Sequence, residues 1–239
     1  MIKAVFFDFY NTLVRFWPPV EEIQVGACRD MGLVVTAERV RAGYALADVY
    51  FNRENARSTL ARRSEAQRDE FFARYEQIIL QGAGMDVDLT LALRVWKLTT
   101  LVPKRFTRFE DTVPALRQLK DAGYALGLLS NLDREMGPLV EELGLAPYLD
   151  ICITAREVGA EKPHPAIFLA ALDRLRLECH EAAHVGDQYH SDVEGARGVG
   201  MTPVLLDRQN RHADITDCLR VTSLSQVEAA LKGAIPHGG

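Results

Sequence analysis

Five short apolar runs, each ending near a small or acidic residue, constrain this 239-residue chain more than any other feature. They are Ile2 to Phe7, Tyr124 to Leu129, Ile151 to Ile153, Ala182 to Val185 and Thr202 to Leu206. The runs are continuous, not alternating, as strands buried on both faces of a parallel sheet must be. Helical patterns lie between the later ones. Val113 to Ala122 stops at Gly123, Pro165 to Leu177 carries apolar residues at three- and four-residue spacing, and Asp192 to Gly198 ends in glycine. This alternation predicts an α/β core: a doubly wound, Rossmann-like parallel sheet flanked by helices.

Residues 19 to about 102 break the rhythm. Four amphipathic patterns follow one another there with no strand among them: EEIQVGACRDMG, TAERVRAGYALADVYFNREN, EAQRDEFFARYEQIILQ and DLTLALRVWKLTTLV. An all-helical domain over 17–103 is therefore expected, inserted into an α/β core made of 1–16 and 104–239. Its hinges fall at Trp17-Pro18-Pro19 and Val102-Pro103-Lys104. The arginines in it (Arg39, Arg41, Arg53, Arg57, Arg62 and Arg63) read as a solvated helix face, and Trp96 as helical-domain core. A loose glycine-rich end is expected at Pro236-His237-Gly238-Gly239.

Composition excludes several function classes. A formal net charge of −5 offers nothing to a polyanion, so no nucleic-acid partner is expected. No apolar run approaches the ~20 residues of a membrane span. Cys28, Cys152, Cys179 and Cys218 are widely separated with no CxxC pair, as reduced thiols in a cytoplasmic protein would be. No charged segment with an apolar signal core precedes the first strand.

Four short motifs follow the predicted strands: Asp8 with Thr12 in DFYNT, Ser130-Asn131 in LLSNLD, Lys162 in GAEKPHP, and Asp187 with Asp192 in VGDQYHSD. In an open α/β sheet, ligands bind at the carboxyl ends of the strands. Singly, each motif could be a helix cap or a turn. Together and in this order they resemble the haloacid dehalogenase superfamily, over nearly the whole chain. The resemblance implies that Asp8 is a nucleophile and Lys162 its cationic partner. It implies that Thr12, Ser130 and Asn131 contact the substrate's anionic group, and that the helical insert is a cap closing over the site. A lysine a few ångströms away favours the ionised carboxylate an attack requires. A covalent ester on Asp8 divides one hard hydrolysis into two easier steps.

The superfamily divides at Tyr10. Phosphatases of this type carry DxDxT, the second Asp protonating the leaving alkoxide; dehalogenases carry DxYGT, because a halide leaves unprotonated. DFYNT has the dehalogenase tyrosine, with Asn11 in place of glycine. VGDQYHSD favours the other branch. Asp187 stands where dehalogenases have serine, and it would repel the carboxylate of a 2-haloacid. The dehalogenase tyrosine six residues after the lysine is Phe168 here, although Arg39 lies near the spacing of their substrate-binding arginine. Asp8, Asp187, Asp192 and the Tyr10 backbone carbonyl would make the hard-oxygen site that Mg²⁺ selects. The favoured reading is a Mg²⁺-dependent phosphatase of a small phosphate ester, working as a monomer or homodimer. The runner-up is a metal-independent 2-haloacid dehalogenase; a weakly active binding or regulatory member comes third. His190 and His164 read as turn and helix-start residues.

Overall fold

The computed structural model describes residues 1–58 and 60–233. The glycine-rich end from Pro236 lies outside the described residues. In chain order the elements are β1 (Ala4–Phe7), β2 (Val14–Trp17), α1 (Val20–Asp30), α2 (Ala37–Arg57), α3 (Glu65–Gly82), α4 (Leu89–Leu101) and β3 (Arg105–Arg108). Then come α5 (Thr112–Asp121), β4 (Ala125–Ser130), α6 (Gly137–Glu142), β5 (Ile151–Thr154), α7 (Ala155–Val158), α8 (Pro165–Leu175) and β6 (Ala182–Gly186). A π-helix (Tyr189–Glu194), α9 (Gly195–Gly198), β7 (Thr202–Leu206), β8 (Leu219–Val221) and α10 (Val227–Gly233) complete the chain. By contacts it divides into two compact units, Met1–Arg15 with Phe106–Gly239, and Phe16–Arg105.

In the first unit six strands pair in the order β5-β4-β1-β6-β7-β8, every pair parallel. β1 is central because both its faces are apolar. Val5 and Phe7 join one cluster, with Leu116 and Leu119 of α5; Ala4 and Phe6 join another, with Ile167 and Phe168 of α8. Phe6 and Phe7 are fully buried, each worth about 1.5–3 kcal/mol of transfer free energy. The chain leaves β1 to pair with β4 on one side and β6 on the other. The carboxyl end of β1 is thus a topological switch point, where open sheets bind ligands.

The doubly wound sheet matches the expectation, with three strands added. β2 and β3 form a separate two-stranded sheet, and β8 extends the main one. Each is short, and β3 (RFTR) has no apolar run to betray it. The helix expected at Asp192 begins earlier, as the π-helix from Tyr189.

The second unit is helical. Thr36 caps α2, Ser64 and Gln67 form a capping box on α3, and Asp88 caps α4 by accepting from the Leu91 N–H at 2.7 Å. α2 and α3 cross backbone to backbone: a Cβ at Gly43 would stand 2.1 Å from the Ile79 carbonyl oxygen. Trp96 stacks on Phe72 with centroids 4.3 Å apart. Arg39, Arg41, Arg53, Arg57 and Arg62 are exposed, but Arg63 lies 4.6 Å over the Phe71 ring and donates to the Glu54 carbonyl. The core of this unit also holds a polar cluster. Fully buried Gln24 donates to fully buried Glu76 and accepts from Tyr44 Oη at 3.2 Å. Burial pushes the Glu76 pKa up to about 8, against the Gln24 hydrogen bond that lowers it.

Candidate active site

Asp8 follows directly on β1, and its N–H still donates to the Val185 carbonyl of β6 at 2.9 Å. The chain then turns sharply. Asn11 sits at φ 62°, a left-handed conformation that asparagine tolerates where most residues would be strained. The turn closes through Leu13 N–H to the Phe9 carbonyl (2.9 Å) and Asn11 N–H to the Val14 carbonyl (2.7 Å). Its far side is tied down from elsewhere. Thr112 Oγ1 donates to the Leu13 carbonyl at 2.7 Å, and Arg208 Nη2 to the Thr12 carbonyl at 2.8 Å. Arg208 also grips both oxygens of Asp111, at 2.9 and 3.0 Å, and stacks 3.9 Å over Phe109. Tyr10 presents its ring to the edge of Phe106, centroids 6.2 Å apart.

Lys162 is the hub. Its Nζ, nearly inaccessible, donates to Asp8 Oδ1 at 2.7 Å and to Asp192 Oδ1 at 2.6 Å. Its backbone is held by Asn131, whose Oδ1 accepts from the Lys162 N–H (2.7 Å) and whose Nδ2 donates to the Lys162 carbonyl (3.0 Å). One Nδ2 hydrogen of Asn131 remains. Ser130, buried at the end of β4, accepts the Leu132 N–H on its Oγ at 3.2 Å and keeps its own proton to donate. Thr12 Oγ1 is buried without a hydrogen-bond partner among the described residues.

Asp192 accepts three donors: Lys162 and His184 Nε2 (2.9 Å) on Oδ1, and the Gln188 N–H (3.0 Å) on Oδ2. It reaches them because Gly186 has no side chain. A Cβ there would lie 2.1 Å from Asp192 Cγ. The π-helix supplies the wide turn that points Asp192 back at the end of β6.

These contacts set the charges. Burial raises the Asp8 pKa, Lys162 lowers it and Asp192 raises it again, to about 6, so that Asp8 is ionised at neutral pH. Burial raises the Asp192 pKa too, but Lys162 and His184 outweigh it and hold that carboxyl below its ordinary range. Burial would lower the Lys162 pKa; Asp192 and then Asp8 overcome this and keep the ammonium charged.

Among the described residues, one oxygen each from Asp8, Asp187 and Asp192 lie within 4.8 Å of one another. Three carboxylates against the Lys162 ammonium leave two negative charges in one cluster. An all-carboxylate donor set with that imbalance suits a hard divalent cation such as Mg²⁺.

The structure thus joins Asp8, Lys162 and Asp192 directly, attaches Asn131 to Lys162, and groups Asp187 with the carboxylates. It leaves Arg39 exposed on α2. His164 caps α8, accepting the Ala166 N–H at 3.2 Å, and His190 pairs with Glu194 at the surface. His184 and Arg208 escaped the sequence reading. The signal for His184 was present: a polar residue in the middle of the apolar run AAHVG needs a partner.

A haloacid dehalogenase-like hydrolase family model matches residues 2–200. The ribulose-1,5-bisphosphate 5-phosphatase of Halopiger xanaduensis is 30% identical over 91% of this chain and 89% of its own. Among solved structures, a HAD phosphatase from Thermococcus onnurineus has a TM-score of 0.57 at 26% identity, covering 97% of this chain and 99% of its own. A 2-haloacid dehalogenase from Pseudomonas syringae pv. tomato also has a TM-score of 0.57, at 25% identity, covering 98% and 99%.

Proposed function

The chain belongs to the haloacid dehalogenase-like hydrolases, and from that premise we propose that it is a Mg²⁺-dependent phosphatase of a small phosphate ester. One observation carries this reading: the cluster of Asp8, Asp187 and Asp192 around a single ammonium. A haloacid would add another carboxylate to a cleft already short of positive charge. A divalent ion offsets the excess instead, and a phosphoryl group then enters as its counter-ion. In this reading Asp8, Asp187 and the Tyr10 carbonyl hold the metal. Asp192, which already accepts three donors, acts mainly through Lys162. A bound Mg²⁺ would neutralise charge on the transferring phosphoryl group, worth several kcal/mol of barrier.

The protein's own groups do the rest. Asp8 attacks phosphorus as an anion, the P–O bond to the alcohol breaks, and the leaving oxygen departs with the bonding pair. Lys162 spreads the charge on Asp8 and on the developing equatorial oxygens. Ser130 Oγ–H, the spare Asn131 N–H and the Thr12 hydroxyl donate to the phosphoryl oxygens. Water then cleaves the aspartyl phosphate and frees Asp8. Tyr10 occupies the position of the missing acid, so stable leaving anions react best.

The tyrosine also supports a second reading, metal-independent 2-haloacid dehalogenation; the Pseudomonas syringae neighbour is a 2-haloacid dehalogenase. Free cysteines and the absence, among the described residues, of a helix able to cross a membrane support a cytoplasmic location. A screen of phosphate esters and 2-haloacids, each with Mg²⁺ and with EDTA, separates the readings. We expect EDTA-sensitive phosphate release. Halide release untouched by EDTA, with no ester hydrolysis, would replace the first reading by the second.

A further inference from the structure

His184 lies in the middle of β6, fully buried, its ring edge-on to Phe168 at 5.2 Å. An apolar side chain would fill that slot without difficulty. The imidazole instead leaves its Nδ1 buried with no partner among the described residues. Leaving a buried polar atom unpaired is costly, so the ring must supply something in return. Among the described residues its hydrogen bond is from Nε2 to Asp192 Oδ1, at 2.9 Å. Asp192 is an ionised acceptor, so Nε2 carries the proton and Nδ1 is the bare nitrogen. Burial outweighs the hydrogen bond to Asp192 and holds the ring's pKa below the ordinary imidazole range, so the ring is neutral.

The oxygen that accepts from His184 is the one that accepts from Lys162 at 2.6 Å, and Lys162 in turn donates to Asp8 at 2.7 Å. The four side chains form one line from the sheet interior to the nucleophile: His184, Asp192, Lys162, Asp8. Two carboxylates compete for one ammonium. Without His184, Asp192 Oδ1 would have Lys162 as its sole donor and would pull it harder. We infer that His184 is a positioning residue: its N–H occupies part of Asp192 and so keeps the Lys162 ammonium shared with Asp8. This rests on the reading of Asp8 as the nucleophile.

The test compares two substitutions in the full-length protein. His184→Leu fills the slot without a donor; His184→Gln returns an amide N–H close to where Nε2 stands. Steady-state kinetics on the best ester from the screen gives kcat and KM, and a crystal structure of each variant gives the distance from Lys162 Nζ to Asp8 Oδ1. For H184L we expect kcat to fall about 10- to 100-fold, the range for losing a hydrogen bond to a charged group. KM should change little and the Nζ–Oδ1 distance should lengthen. H184Q should recover most of kcat and the present distance. Should H184L be insoluble, H184N serves as the donor-free variant, since its amide is too short to reach Asp192. Wild-type kcat and an unmoved lysine in the donor-free variant would overturn the inference. So would a folded H184Q as impaired as H184L, because the ring would then act by shape alone. A wild-type protein inert toward both substrate classes would defeat the proposed function, yet the lysine distances would still decide the role of His184.

Discussion

Replacing Glu76 by glutamine should change the pH dependence of the helical unit's stability, and the structure sets the size of the effect. Glu76 is fully buried, accepts from Gln24, and has its second oxygen unpartnered among the described residues. Burial raises its pKa from the ordinary 4.5 to about 8. A folded-state pKa above the unfolded one means that the folded protein holds a proton the unfolded chain has lost between those two values. Stability from this group is therefore full below about pH 4.5, declines across the window up to about pH 8, and is constant above it. The gap of roughly 3.5 pH units, at about 1.4 kcal/mol each, amounts to about 5 kcal/mol. Water penetration on ionisation would reduce this to about 3 kcal/mol. Glu76→Gln removes the ionisation and preserves an acceptor for Gln24. The assay is urea unfolding followed by tryptophan fluorescence from pH 5 to 8.5. Both tryptophans, Trp17 and Trp96, lie in the helical unit, so the signal reports that unit. Subtracting wild type from variant at each pH cancels the other titrating groups. The advantage of E76Q should grow by about 2–4 kcal/mol across the range. A difference that stays flat with pH would show that Glu76 is solvated or ionised in the folded protein, and the reasoning would fail.

Asp8→Asn should abolish turnover in a folded protein, and single-turnover hydrolysis in ¹⁸O water should label Asp8 itself; turnover with an unlabelled Asp8 would mean direct attack by water. Asp187→Ala should weaken Mg²⁺ binding, measured calorimetrically, without shifting the melting temperature downward; unchanged affinity would remove Asp187 from the metal site. Tyr10→Asp should speed alkyl esters, by up to the ~10²–10⁴-fold of general acid catalysis, while aryl esters gain little. Equal slopes of log rate against leaving-group pKa in both proteins would mean that protonation never depended on position 10. Arg208→Ala should cost about 1–3 kcal/mol of stability, because it leaves Asp111 with only its Ser223 and Leu224 donors and no cation, and frees the Thr12 carbonyl. Asp111→Asn should then cost much less in that background than alone, and additive losses would show the two residues uncoupled.

The parts legible in the sequence were those with strong local signals. Phe6 and Phe7 sit in a run too apolar for anything but a strand buried on both faces, and Asp8 ends it. The helices of the second unit carry their caps at Thr36, Ser64 and Asp88 in the sequence itself. β3 was hidden because RFTR owes its strand to pairing with β2, a partner some ninety residues distant. The π-helix was hidden for a similar reason. Tyr189 to Glu194 has the composition of a loop, and its wide turn is imposed by the pull of Lys162 and His184 on Asp192. Four motifs could be listed from spacing alone. That Asn131 grips the Lys162 backbone, so that its amide is mostly committed before any ligand arrives, is a contact between residues 31 positions apart that spacing does not reveal. Arg208 was invisible for the same cause: its partners Asp111 and Thr12 lie about a hundred and two hundred residues away.

The contact between Gly186 and Asp192 has an evolutionary consequence. The space that a β-carbon would fill at 186 belongs to the carboxyl group of residue 192, at 2.1 Å. Two positions in the chain therefore compete for one volume. An alanine at 186 would evict the carboxylate and release Lys162, and shortening residue 192 to make room would remove that same carboxylate. No second-site change at 192 can repair the first lesion. The two positions should drift together only toward loss, never by exchange, so among descendants of this chain they are expected to be jointly fixed or jointly abandoned. A descendant with a larger residue at 186 would be silent even if Asp8, Lys162, Asp187 and Asp192 all remained. The glycine before Asp187 is thus the place to look first when sorting working copies from inactive ones.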